Sequence, residues 1–148
     1  EINTAAQGMV GEMTSRIVGE GGAALIIDYG YVEGSNVDTL QAVKEHAYHN
    51  VLQAPGDADI TAHVDFSAIS MAALDGGAQI YGPVGQGNFL RSLGIRERAQ
   101  QLSANASERQ AADIGSALNR LTTPDSMGDL FKVMALTSSG GPMPPGFE

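Results

Sequence analysis

The sequence predicts an α/β protein of three layers, a sheet between helices, and three observations carry that reading. A continuous apolar run, Ala23 to Ile27, leads into Asp28-Tyr29-Gly30, and apolar residues without alternation mark a strand covered on both faces. A stripe at helical spacing, Ile2, Ala6, Met9, Val10, Met13 and Ile17, precedes it and supplies the helix of a βαβ unit. Apolar runs at Ala78 to Tyr81 and Leu130 to Leu136 alternate with further helical patterns, so three strands are expected. Where both faces of an open sheet are covered, about 5–6 strands are usual, and the sheet is therefore expected to be incomplete.

Local signals divide the chain further. Thr4 followed by Gln7 reads as a capping box for the first helix, which should stop near Gly19, before Gly21-Gly22. Residues 31 to 63 read as irregular, with one short helix from Asp38 to His46. A connection of that length is uncommon unless it forms part of a site or a lid. Asp65 reads as the N-cap of a helix reaching Leu74, ended by Gly76-Gly77. The stretch Gly82-Pro83-Val84-Gly85-Gln86-Gly87 reads as a loop, followed by a short helix through Phe89, Leu90 and Leu93 that stops at Gly94. One helix is expected from Ile95 to Leu102. Another is opened by the box Ser107 with Gln110 and striped by Ala111, Ile114, Leu118 and Leu121. Thr123-Pro124 begins a short turn, and residues 138–148, rich in glycine and proline, are expected to form a loose tail.

Composition excludes several functions. A chain of 148 residues fits one domain that buries roughly 68–70% of its unfolded surface. Net charge is −9, from 17 acidic and 8 basic side chains, and no basic run offers phosphates a binding face, so no nucleic-acid partner is expected. No apolar run approaches the ~20 residues of a membrane helix, so no membrane partner is expected either. The absence of cysteine removes disulfides, thiolate catalysis and cysteine-based zinc sites. The chain opens at Glu1 rather than at methionine, and the expectation is an excised piece of a longer protein.

Few constellations promise chemistry. His46, His49, Asp57, Asp59, His63 and Asp65 are metal-ligand types, and His46 and His49 would share a face on a helix. They match no metal signature of known spacing, so solvated loop residues are the preferred reading and no metal is expected. The loop Gly82 to Gly87 lacks the lysine and hydroxyl of a P-loop and the GxGxxG spacing. It reads as a strand-to-helix turn, although the backbone of Gly85 to Gly87 could line a pocket. No GxSxG elbow is present. Met9 and Met13 read as ordinary core. Asp28 is the best single site candidate, because open α/β sheets bind ligands beyond the carboxyl ends of their strands; the plainer reading is a cap on the following loop.

Five segments taken together go further: GGAALIIDYGY (Gly21 to Tyr31), DTLQA (Asp38 to Ala42), PGDADITAHVDFS (Pro55 to Ser67), GPVGQGNFLRSLGI (Gly82 to Ile95) and RLTTPDSMGDLFKVMAL (Arg120 to Leu136). In this order they resemble the MidA-type S-adenosylmethionine-dependent methyltransferases, a class I family that includes a mitochondrial complex I assembly factor. The resemblance implies that residues 1–137 are the C-terminal part of a Rossmann-like methyltransferase domain. Ala23 to Tyr29 would be the fifth strand, Ala78 to Tyr81 the sixth, and Leu130 to Leu136 the antiparallel seventh. The family's glycine-rich loop, ribose-binding acid and acidic-aromatic motif would lie upstream of Glu1, so the cofactor S-adenosylmethionine would be bound mainly by residues outside this chain.

What carries over is the DYG turn (Asp28, Tyr29, Gly30), the HVDF segment (His63 to Phe66) and the QGNF turn (Gln86 to Phe89). The substrate-pocket candidates are therefore Asp28, Tyr29, Gly30, Asp65, Phe66, Gln86, Gly87 and Phe89. No catalytic residue is assigned. The implied reaction is methylation of a protein arginine side chain, on a respiratory complex I subunit for the mitochondrial member, with this piece inactive alone. The implied place is the bacterial cytoplasm or the mitochondrial matrix. A non-catalytic interaction or dimerisation module is the alternative; an α/β-hydrolase-like domain is opposed by the missing elbow. The fifth strand is also expected to leave an unprotected edge, open to a second copy or to the absent N-terminal part.

Overall fold

The computed structural model describes residues 2–32 and 38–148; residues 33–37, inside the stretch expected to be irregular, lie outside the described residues. Helix α1 spans Thr4–Glu20. Its N-cap is Asn3, whose side-chain oxygen accepts from the Ala6 N–H at 2.9 Å. This displaces the expected Thr4–Gln7 box: Thr4 already has helical backbone, and a short polar side chain one residue earlier satisfies the open N–H. Val10, Thr14 and Ile17 form the buried face. Met9, expected in the core, is 66% exposed, because it lies about 100° around the helix from Val10.

Strand β1, Ala23–Tyr31, pairs antiparallel with β7, Phe131–Thr137, from Ala23–Thr137 to Tyr29–Phe131. On its other side β7 pairs antiparallel with β6, Gln79–Gly85. β1 and β6 are thus parallel, and their carboxyl ends meet the start of β7. This β1-β7-β6 order, with an antiparallel strand in the middle, meets the expectation for fifth, seventh and sixth strands. β6 runs four residues beyond the expected Tyr81, with a register shift between Tyr81 and Val84. The presumed glycine loop is therefore strand up to Gly85, and helix α3, Gln86–Ser92, follows directly.

Helix α2, Phe66–Asp75, begins where Asp65 caps it, accepting from the Ala68 N–H at 3.0 Å. α1 and α2 cover one sheet face in a core of Val10, Ile17, Phe66, Ile69, Ala73, Met134 and Leu136. Fully burying side chains such as Phe66, Met134 and Leu136 contributes about 1.5–3 kcal/mol each. On the other face, α3 packs on β6 and β7. The end of the chain, expected to be loose, joins this layer: Phe147 meets Phe89 at 5.2 Å and Tyr81 at 6.3 Å between ring centres. Helix α4, Ile95–Ser103, and helix α5, Glu108–Thr122, form a hairpin beyond α3, with the Ser107–Gln110 box formed as expected.

Two larger expectations also fail. β1 is not buried on both faces: Ala24 and Ile26 pack on the α1–α2 core, whereas Leu25 and Ile27 are 50% and 46% exposed. The reason is that the second helical layer sits over β6 and β7 and does not extend across β1. Nor is there a helix from Asp38 to His46. Strands β2 (Gln41–Lys44), β3 (Ala47–His49) and β4 (Asp59–Thr61) form a separate antiparallel sheet in the order β3-β2-β4. Its tight turn holds Glu45 and His46 at φ 52° and 64°, the left-handed conformation of a two-residue hairpin. Such turns usually carry Asn-Gly, and Glu-His gives no such signal.

Candidate functional site

The carboxyl ends of β1 and β6 and the first residues of β7 bring three parts of the chain together. Lys132 pairs with Asp28 on one side and with Gly85 on the other, so the DYG turn and the start of α3 flank the same end of β7. Beyond Tyr29 the chain is held by β5, Val64–Asp65, which pairs parallel with β1 only at Gly30–Val64 and Tyr31–Asp65. Ser67 adds a side-chain hydrogen bond to the Val32 carbonyl.

Asp28 is half-buried. One carboxylate oxygen accepts from the Tyr29 N–H at 2.8 Å. Lys132, its partner across the strands, instead donates its ammonium to the Asp129 carbonyl. Among the described residues the ion pair is Lys44–Asp57 at 3.4 Å, in the small sheet, so the Asp28 carboxylate has no cationic partner there.

Tyr29 is fixed by its rings. It meets His63 at 5.4 Å and Phe131 at 5.6 Å, both edge to face, an arrangement worth about 0.5–1.5 kcal/mol per pair beyond area burial. Successive side chains of a strand leave on opposite faces. Asp28 therefore shares the face of Ala24 and Ile26, and Tyr29 that of Leu25 and Ile27. Two further residues of β1, Gly30 and Tyr31, follow them before the strand ends.

The other candidates separate. Asp65 lines a cleft of about 510 Å³ with Tyr31, Leu40, His63, Ile69 and the first turn of α1. Gly30 lies where a Cβ would come 2.9 Å from the Phe66 ring. Phe66 is fully buried in the α1–α2 core, and Phe89 is buried on the opposite face of the sheet. Gln86 is buried, and its side-chain amide donates to the Leu121 carbonyl at 3.0 Å. Gly87 sits where a Cβ would stand 2.4 Å from the Thr122 carbonyl oxygen. The QGNF turn thus joins α3 to the end of α5, while Asp28, Tyr29 and Asp65 remain able to meet a ligand. Sequence reasoning set His63 aside apart from a metal set, yet its ring packs on Tyr29; the HVDF segment was the available signal. Among the described residues no group of three or more His, Asp or Glu side chains is placed to hold a metal ion. The shared helical face of His46 and His49 does not exist, since His46 sits in the hairpin turn and His49 opposite Ala42 on β2.

Residues 1–84 match the family described as "Putative S-adenosyl-L-methionine-dependent methyltransferase". The chain belongs to that methyltransferase family. A protein arginine methyltransferase NDUFAF7, mitochondrial, of Danio rerio is 38% identical over 141 residues, covering 94% of this chain and 32% of the relative. The chain thus spans about a third of the length of the curated relatives it matches. Two solved structures of Burkholderia thailandensis proteins are similar over 99% of this chain. A native structure is 29% identical with a TM-score of 0.83, over 38% of that chain. The other, bound to S-adenosyl-homocysteine, is 30% identical with a TM-score of 0.77, over 37% of that chain. The sheet and its helices are thus the family's Rossmann-like fold in part, and no described helix is long and apolar enough to cross a membrane.

Proposed function

We propose that this chain supplies one wall of the active site of an S-adenosylmethionine-dependent methyltransferase whose acceptor is a protein arginine side chain. The observation that carries the reading is the half-buried Asp28 carboxylate in the carboxyl-terminal half of β1, without a cationic partner among the described residues. A guanidinium matches such a group by directed hydrogen bonds. The residues present fit a border of the cofactor site and not the whole of it: a mostly apolar cleft lined by Tyr31, Leu40 and Ile69, with Asp65 in its wall. When bound, S-adenosylmethionine supplies the sulfonium methyl group.

The chain's own contribution is positioning. Asp28 orients the acceptor nitrogen, and Tyr29, braced by His63 and Phe131, walls off water from the sheet end. Gln86 acts at one remove, by holding α3 against α5. The acceptor protein is a respiratory complex I subunit in a mitochondrial setting, with the matrix as the place of action, or the cytoplasm for a bacterial protein. In this reading most donor contacts come from the rest of the protein, and residues 1–148 alone do not methylate.

Calorimetric titration of S-adenosylhomocysteine into this chain and into the whole protein tests the division of labour, with binding expected for the whole protein alone. Asp28→Asn in the whole protein is expected to lower methylation of an arginine peptide at least about tenfold, since one charge-assisted hydrogen bond is at stake. Unchanged methylation would remove Asp28 from the site.

A further inference from the structure

The α4–α5 hairpin carries an open apolar groove of about 180 Å³, lined by Ile95, Arg98, Ala99 and Leu102 of α4 and by Ile114, Leu118 and Leu121 of α5. Leu102 is 46% exposed. Exposed apolar surface of this kind on a helix pair marks a contact face.

Charge points to the occupant. Residues 95–122 hold four arginines (Arg96, Arg98, Arg109, Arg120) against Glu97, Glu108 and Asp113, a net charge of +1. The rest of the chain has four cations and fourteen carboxylates, a net charge of −10. Two copies of a chain at −9 repel one another over most approaches. The hairpin is the face where that repulsion is weakest. Among the described residues none of its four arginines forms an ion pair, so the hairpin's cations are open to partners of opposite sign. A uniformly acidic partner would satisfy the arginines but leave Glu97, Glu108 and Asp113 facing like charge. A hairpin that carries both signs beside an apolar groove can match a second copy of itself, as a two-fold interface requires.

We propose that the hairpin is a self-docking surface, on which a second copy of this chain seats its own α4–α5 hairpin about a two-fold axis to form a four-helix contact. Leu102 and Leu118 supply the centre, and Arg96, Arg98 and Arg109 with Glu97 and Asp113 supply the rim.

Sedimentation velocity across the micromolar range, on this chain and on the whole protein, tests the proposal. A concentration-dependent dimer is expected in both. Leu102→Glu, which puts a charge at the centre, is expected to weaken it at least about a hundredfold. Arg98→Glu, an exposed change that leaves the helices intact, is expected to weaken it about tenfold. Circular dichroism on both variants distinguishes lost docking from lost folding. Ile27→Lys, on the exposed face of β1, is expected to leave the dimer unchanged. The proposal is overturned if both proteins stay monomeric, if Ile27→Lys dissociates the dimer while the folded hairpin variants do not, or if the dimer forms with this chain but not with the whole protein. The last outcome would mean that the groove is filled from within the longer protein.

Discussion

A Cβ placed on Gly30 would stand 2.2 Å from the backbone carbonyl oxygen of Val64. That approach lets β5 pair with the last two residues of β1. Gly30→Ala must push two backbones apart, because a carbonyl oxygen cannot swing aside as a long side chain can. A loss of about 1–3 kcal/mol is expected, read as a lower urea midpoint at unchanged slope. An unaltered midpoint would show that the β1–β5 contact yields at no cost.

Gln86 separates a structural role from a binding role. Its amide satisfies the Leu121 carbonyl in the last turn of α5, where intrahelical partners run out. Gln86→Leu keeps the bulk and orphans that carbonyl, at a cost of about 1–3 kcal/mol. In the whole protein, kcat/KM per folded molecule should stay the same. A drop in kcat/KM at unchanged stability would return Gln86 to the substrate side of the site.

The Ser107–Gln110 box is complete, with the Ser107 hydroxyl accepting from the Gln110 N–H and the Gln110 side chain accepting from the Ser107 N–H. Ser107→Ala should cost about 1 kcal/mol. Hydrogen exchange should locate the loss in the first turn of α5, and protection elsewhere should fall only by the global change.

Phe147 fastens the chain end to β6 and α3. Phe147→Ala removes its ring contacts with Phe89 and Tyr81. Since Phe147 is only half-buried, about 1–2 kcal/mol is expected, below the range for a core phenylalanine. Removal of residues 138–148 should cost at least as much in a thermal melt. A truncated chain of unchanged stability would show that the segment rests on the fold without holding it.

The candidate site was legible in part, and particular residues show why. Asp28 and Tyr29 stood out as candidates because an acid and a ring follow an apolar run. Asp65 was readable as a cap because its role is settled within three residues. That Phe66 and Phe89 serve the core, and that Gln86 reaches Leu121 35 positions away, has no local signature. The small sheet was hidden for a related reason: Glu45 and His46 adopt a turn conformation that their types seldom take, and β4 joins β2 across the chain.

Caps, helical stripes, apolar runs and charge balance act within a few residues or over the whole composition, and they were enough to yield the helices, the three main strands and the family's order of segments. Which face of β1 is covered, and which glycines tolerate no side chain, were decided only when distant elements packed. A strand's pleat sends neighbours to opposite sides, and only the position of the helical layers says which side lies against protein.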